Sequence, residues 1–143
     1  MKTQLIVVTF LSFLQTENKV SELYGDWKLE KIELNEEVLI PTKRDYYLYF
    51  SEDWITYNLE YNKCQTMDFS IQNNSIWINR IACTEICCDG RSDTISNYIN
   101  YSGAYIIQNN QLMISNSESI VYLNRAIEDV PPKPHNFLKR SKK

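Results

Sequence analysis

The residues with the most chemistry in them are four cysteines, gathered in two places. Cys64 ends a strand-like stretch, Tyr61-Asn62-Lys63-Cys64-Gln65, and Cys83, Cys87 and Cys88 lie within Ile81 to Gly90. Four thiols allow three pairings, and disulfides are the expected state. A zinc ion would need four convergent ligands, which the C-x3-C-C cluster plus Cys64 could supply by number. Against this, the adjacent Cys87 and Cys88 point different ways in most backbones, and the one histidine, His135, lies in a Pro-rich tail. Free buried thiols are the third possibility. Nucleophilic catalysis needs a base within hydrogen-bond reach, and a single tail histidine does not provide one. Glu30, Glu33, Glu36, Glu37 and Glu60 alternate along strands or cluster in a connection, as carboxylates on solvated faces do. No Gly-rich phosphate loop is present. We therefore expect no enzyme, no cofactor and no metal.

The elements that must position these cysteines are β-strands. The chain has 143 residues, enough for one domain with a single core. Ten Tyr, five Phe and three Trp favour pleated, half-buried surfaces, and only three Gly are present. The net charge of −3 is spread through the body, which argues against nucleic acid as a partner. Residues 1–22 read as a signal peptide or N-terminal segment. Lys2 precedes an apolar run from Leu5 to Leu14, which has the length of an export signal and is too short to span a bilayer comfortably. Gln15-Thr16-Glu17-Asn18 offers no small-x-small cleavage pair, so a first strand or core segment, or an uncleaved anchor, are the other readings. Export to periplasm, cell envelope or exterior is expected, with no transmembrane span in the mature chain. Residues 126–143 hold three prolines in Pro131-Pro132-Lys133-Pro134 and end Lys139-Arg140-Ser141-Lys142-Lys143. They read as a solvated, disordered tail, or as a basic arm touching anionic groups.

Between these ends, alternation of apolar and polar residues marks the strands. In Leu23 to Leu34, Trp27 and Leu29 share one parity while Ile32 and Leu34 take the other, the signature of one strand bent by a β-bulge. Glu36 to Thr42 reads as a connection. Asp45 to Ser51 and Trp54 to Tyr61 are strands joined by Ser51-Glu52-Asp53, and in the second Ile55, Tyr57, Leu59 and Tyr61 share a face. Thr66 to Ile71 and Ser75 to Ile81 flank Asn73-Asn74, a turn able to take the positive φ that tight hairpins require. Ser92 or Asp93 can cap a short helix running through Asn97 to Tyr101. Ala104 to Ile107, Leu112 to Ser115 and Ile120 to Asn124 form a closing meander.

This pattern predicts a mainly β fold, a small antiparallel curled sheet or partly open barrel of about eight strands with at most one short helix. Trp27, Tyr57 and Leu59 are the residues expected to face its interior or a ligand there. A filled core is the default, since aromatic stripes more often pack than bind.

The order of these features resembles the META domain family of bacterial envelope proteins, over about residues 23–125. The matching residues are Leu23-x-Gly25-x-Trp27-x-Leu29, the strand running into Cys64, the hairpin, Ala82-Cys83-Thr84-Glu85-Ile86-Cys87-Cys88, and the closing strands. Cys64 and Cys88 fall on the family's two cysteines, Thr84 on its threonine and Ile86 on its methionine. Lys63 and Gln65 stand where the family has glycine and asparagine, and Cys83 and Cys87 where it has small residues. The resemblance implies a structural disulfide between Cys64 and Cys88, with Cys83 and Cys87 as local extras able to form a second pair.

Two functions follow as expectations. The resemblance implies a non-enzymatic exported or envelope domain, acting in protein interaction or stress response, with another envelope protein as partner. That reading expects a filled core and an exposed apolar patch. Gly25-Asp26-Trp27 also matches the Gly-x-Trp of the lipocalin superfamily's first strand, which implies a carrier of a small apolar ligand. It expects a closed barrel and a cavity of about 300 Å³ or more.

Overall fold

The structure, a computed structural model, describes residues 19–127. The expected signal run Leu5 to Leu14 and the basic tail beyond Ile127 lie outside the described residues. Nine strands follow a 3-10 turn at Val20–Glu22: β1 Gly25–Leu34, β2 Val38–Leu39, β3 Tyr47–Phe50, β4 Ile55–Asn58, β5 Lys63–Gln72, β6 Ser75–Cys83, β7 Gly103–Gln108, β8 Gln111–Ser115 and β9 Ser119–Arg125. A four-residue helix, α1 Ile95–Tyr98, interrupts them between β6 and β7. Every pairing is antiparallel, and β1 also pairs with β9. Eight strands therefore close into a barrel, with β2 as an extra strand on the upper half of β1. Closure pairs the first strand with the last, which resolves the open-or-closed alternative left by the sequence, and leaves β6 without a β7 partner beyond Ile76.

The bend expected in β1 is a bulge between Leu29 and Lys31 in the β1–β9 register. It lets Trp27 and Leu29 below, and Ile32 above, all point inward despite their opposite parity. Two turns take the left-handed geometry expected of Asn: Asn73 and Asn74 have φ of 49° and 56°, and Asn109 and Asn110 have 49° and 63°. Gly103 starts β7 at φ 152°, with Ser115 O only 2.2 Å from where a Cβ would stand, so no larger residue fits the β7–β8 approach. The connection read at Glu36 to Thr42 contains β2, two residues too short to show periodicity. β4 ends at Asn58, three residues before the expected end, because Leu59 N–H donates to Asn62 O at 2.7 Å and turns the chain.

Side chains from β1, β3, β4 and β6 to β9 fill the lower and middle barrel, with Trp27, Ile32, Leu48, Phe50, Leu112 and Val121 fully buried. The base is closed by Trp27. Its Nε1–H donates to Leu23 O at 2.8 Å, and the Arg125 guanidinium lies 3.8 Å from the ring centre. Arg125 also donates to Tyr24 O at 2.8 Å and Glu22 O at 2.5 Å, tying the 3-10 turn across the barrel's end. One arginine thus covers an aromatic face by cation–π contact and satisfies two turn carbonyls.

The disulfide expected between Cys64 and Cys88 is not formed, nor is a Cys83–Cys87 pair. Cys64 bonds Cys83, and Cys87 bonds Cys88. The reason is register: the β5–β6 ladder extends to its last residue and sets Cys64 directly opposite Cys83, with Cα atoms 4.1 Å apart. Such opposed positions bring two Cβ atoms within bonding reach, whereas Cys88 lies five residues beyond the strand. The bond closes a loop of 19 residues, worth about 3 kcal/mol in the chain-entropy account. Cys83→Ser is therefore expected to lower unfolding free energy by about that amount in urea titration, while Cys88→Ser has a smaller effect. The opposite ranking would restore the Cys64–Cys88 pairing.

Candidate binding site at the barrel mouth

The mouth is the end opposite Arg125, where the β4–β5 turn meets the long connection 84–102. Asn62 is its hub. Its Oδ1 accepts from Ile86 N–H at 2.7 Å and from the Thr84 hydroxyl at 2.8 Å, and its Nδ2 donates to Ile86 O and Asp89 Oδ2, both at 2.6 Å. That uses the full capacity of the amide. Asp89 Oδ1 in turn accepts from Tyr61 N–H at 2.6 Å and Asn62 N–H at 3.3 Å. A polar side chain thereby replaces the ladder that ended at Cys83, and the connection is docked over the barrel.

Behind Asn62 sits Glu60, a buried carboxylate. It accepts from Ser92 N–H at 3.1 Å and from the Ser92 hydroxyl, and Arg44 Nη2 stands 3.8 Å away. Burial alone would raise its pKa. The Ser92 hydroxyl, the Ser92 and Gly90 N–H groups and the Tyr61 hydroxyl outweigh that and hold it down at about 2. Asp93 accepts from the Tyr46 hydroxyl at 2.7 Å and from Ile95 N–H at 3.2 Å, the latter at the start of α1. Its other oxygen faces Arg44 Nε at 3.8 Å, beyond hydrogen-bond length.

Next to this pair, the Tyr57 and Tyr101 rings meet edge to face, centroids 5.1 Å apart. Tyr101 is 2% exposed, and its hydroxyl has no hydrogen-bond partner; neither have the buried Arg44 Nε and Asp93 Oδ2. Burial raises the phenol pKa of Tyr101, and the neighbouring Tyr57 and Tyr46 phenols push the same way. Burial, then the hydrogen bond to Asp93, raises that of Tyr46. These shifts move away from neutrality in both directions. At neutral pH the phenols stay protonated and Glu60 stays ionised and occupied by Ser92. On the rim, Leu34, Asn97 to Asn100, Glu118 and Ser119 line an open cleft of about 280 Å³.

Of the residues expected to face the interior or a ligand, Trp27 is fully buried beneath Arg125, and its register partner Leu48 is also the partner of Tyr57. Tyr57 is in the mouth wall, and Leu59 is half-buried in the turn above it. The residues that do meet at the mouth are Arg44, Tyr46, Glu60, Asn62, Asp89, Ser92, Asp93 and Tyr101. Glu60, read from alternation as lying on a wet face, is instead under the connection. The nearest sequence signal was the turn chemistry of Asp89-Gly90-Arg91-Ser92-Asp93, which marks a structured loop without naming its partner. Among the described residues no cluster of three or more His, Cys, Asp and Glu side chains could hold a metal ion. Comparisons with family profiles, curated proteins and solved structures give no match.

The ionised Glu60 makes the mouth acid-sensitive. Its folded pKa of about 2 lies below the ordinary 4.5, so its contribution to stability is complete above pH 4.5 and is lost as pH falls toward 2. Glu60→Gln is expected to flatten the pH dependence of the urea midpoint within that window. An unchanged acid limb would show that Glu60 is not held by Ser92.

Proposed function

We propose that this chain is a non-enzymatic, lipocalin-like barrel that binds one small molecule at its mouth. The observation that carries the reading is three buried polar atoms without a hydrogen bond among the described residues, Tyr101 Oη and the Arg44 Nε and Asp93 Oδ2 that face each other as an ion pair at 3.8 Å, at one end of a closed eight-stranded barrel. Leaving such groups without a hydrogen bond costs about 1–3 kcal/mol each, a cost that a bound polar head or ordered water removes. Barrels of eight strands are filled by side chains or hold one small ligand, and barrel mouths are common binding sites. The packed lower core confines any guest to the mouth; the rim cleft of about 280 Å³, lined by Leu34, Asn97 to Asn100, Glu118 and Ser119, is open and smaller than the cavity of about 300 Å³ or more expected of a carrier. Asp93 and Glu60 set two carboxylates against the single guanidinium of Arg44. A neutral or cationic head with N–H or O–H donors is favoured over an anionic one.

Export fits this reading. Both cysteine pairs are bonded, as in oxidising compartments, and no helix among the described residues is long and apolar enough to cross a membrane.

The test is calorimetric titration of the full chain with tryptamine and with indole-3-acetate, alongside native mass spectrometry of protein from its own host. The amine is expected to bind one per chain and the carboxylate more weakly. Tyr101→Phe should weaken the amine about tenfold, one hydrogen bond's worth. If neither probe binds and host protein carries no small molecule, the reading fails.

A second reading, the envelope interaction domain that the META resemblance implies, is favoured by the outer face of β5 and β6. Met67, Trp77 and Ile81 are 55%, 58% and 46% exposed there. The irregularity between Gln65 and Asp68 turns Met67 outward, while Phe69 and Ile71 pack against the core. The upper part of β6 also lacks a second neighbour, since β7 pairs only with Ser75 and Ile76. An exposed apolar stripe beside an open strand edge suits a partner's strand.

A further inference from the structure

Cys87–Cys88 lies between the two points at which the connection is anchored. Ile86, just before it, is held through both its N–H and its C=O by Asn62. Asp89, just after it, takes the N–H groups of Tyr61 and Asn62 and the Asn62 amide. The bonded pair thus sets the chain path between two contacts to one side chain. Cys88 has φ of 91°, a left-handed backbone that non-glycine residues rarely adopt. The following Gly90 has φ of 78°, and a Cβ there would meet the Asn97 side chain at 2.2 Å, so the turn packs directly on α1. Arg91 N–H closes the turn on Cys88 O at 3.3 Å. Of the four cysteines, Cys87 and Cys83 are exposed and Cys88 is half-buried, whereas Cys64 is 1% exposed inside the barrel wall.

We propose that Cys87–Cys88 is a redox site, a latch that a dithiol reductant opens while Cys64–Cys83 stays closed. A thiolate of the reductant attacks Cys87 Sγ, the accessible sulfur. The S–S bond breaks, Cys88 leaves as a thiolate and takes a proton, and a mixed disulfide joins Cys87 to the reductant. The reductant's second thiolate then attacks its own sulfur in that mixed disulfide, releasing Cys87 as a thiolate that is protonated in turn. Two electrons and two protons have passed to the protein, and the reductant has become a disulfide. Without the bond, Cys88 is free to leave its left-handed conformation. The spacing between Ile86 and Asp89 is then no longer fixed, and the grip of Asn62 on both is lost together with the turn against α1. Each bond offers one exposed cysteine, so access does not separate them; at Cys64–Cys83 the paired strands hold the two residues opposite one another in either redox state, so an opened bond there closes again. The latch operates whichever function the mouth serves, because it acts on the docking of the connection.

The test poises the full chain in dithiothreitol redox buffers of increasing reducing strength, traps thiols with N-ethylmaleimide and maps them by peptide mass spectrometry. Amide exchange is followed on the same samples. Cys87 and Cys88 are expected to be alkylated first, with Cys64 and Cys83 still joined. In that state the amides of Tyr61, Asn62 and Ser92, which donate into the mouth, should exchange at least tenfold faster, while those of β8 and β9 are unchanged. Cys87→Ser combined with Cys88→Ser should show the same fast exchange without reductant. Simultaneous opening of both bonds, earlier opening of Cys64–Cys83, or unaltered exchange at Tyr61, Asn62 and Ser92 after selective reduction would each overturn the proposal. If the double variant does not fold, the exchange of the selectively reduced natural chain decides alone.

Discussion

Pairing of the first and last strands is the constraint on which the rest depends. β1 and β9 meet from Trp27 opposite Arg125 to Leu34 opposite Ser119, around the one bulge between Leu29 and Lys31. Without this ladder the meander is an open sheet with two long edges, and neither end of the barrel exists. With it, the inward residues of eight strands share one core, and Arg125 arrives over Trp27. The bulge is part of the constraint, since it switches parity between Leu29 and Ile32 and keeps both halves of β1 facing inward.

Closure creates two ends with opposite chemistry. The base is apolar and sealed: Trp27, Leu23 and the Arg125 stack leave its polar groups paired. The mouth is built from charges and amides. Glu60, Asn62 and Asp89 dock a connection that has almost no regular structure, and Arg44, Asp93 and Tyr101 each keep a buried atom without a hydrogen bond. Among the described residues, the three buried side-chain atoms without a hydrogen bond all belong to the mouth. The two disulfides divide along the same line. Cys64–Cys83 reinforces a ladder, and Cys87–Cys88 shapes the loop that covers the mouth.

Much of the architecture was legible in the sequence because it rests on local rules. The Asn-Asn turns and the parity slip in β1 each depend on a few neighbouring residues, and each reappears in the structure. The period of two read over Trp54 to Tyr61 does not, since β4 ends at Asn58 with Ile55 and Thr56 both buried, and Glu60 is buried beyond it. The cysteine pairing was not legible, since it depends on how far the β5–β6 ladder runs before it ends. A family-like spacing pointed to Cys88, but register placed Cys83 opposite Cys64. The mouth was hidden for a similar reason. Glu60 and Ser92 are 32 residues apart, and Tyr46 and Asp93 are 47 apart. No period or turn signal links them; only the closed barrel does. Trp27 is fully buried at the base because Arg125, brought opposite it by the β1–β9 ladder, covers its ring.

The claim at the centre of this account is that the mouth holds a polar guest among Arg44, Asp93 and Tyr101. A high-resolution crystal structure of the full chain, grown with both disulfides intact, tests it most directly. The account expects electron density for a bound molecule or ordered water within hydrogen-bond distance of Tyr101 Oη and at least one of Arg44 Nε and Asp93 Oδ2. Density showing those three groups bonded to one another or to the chain, with no space between them, would contradict it.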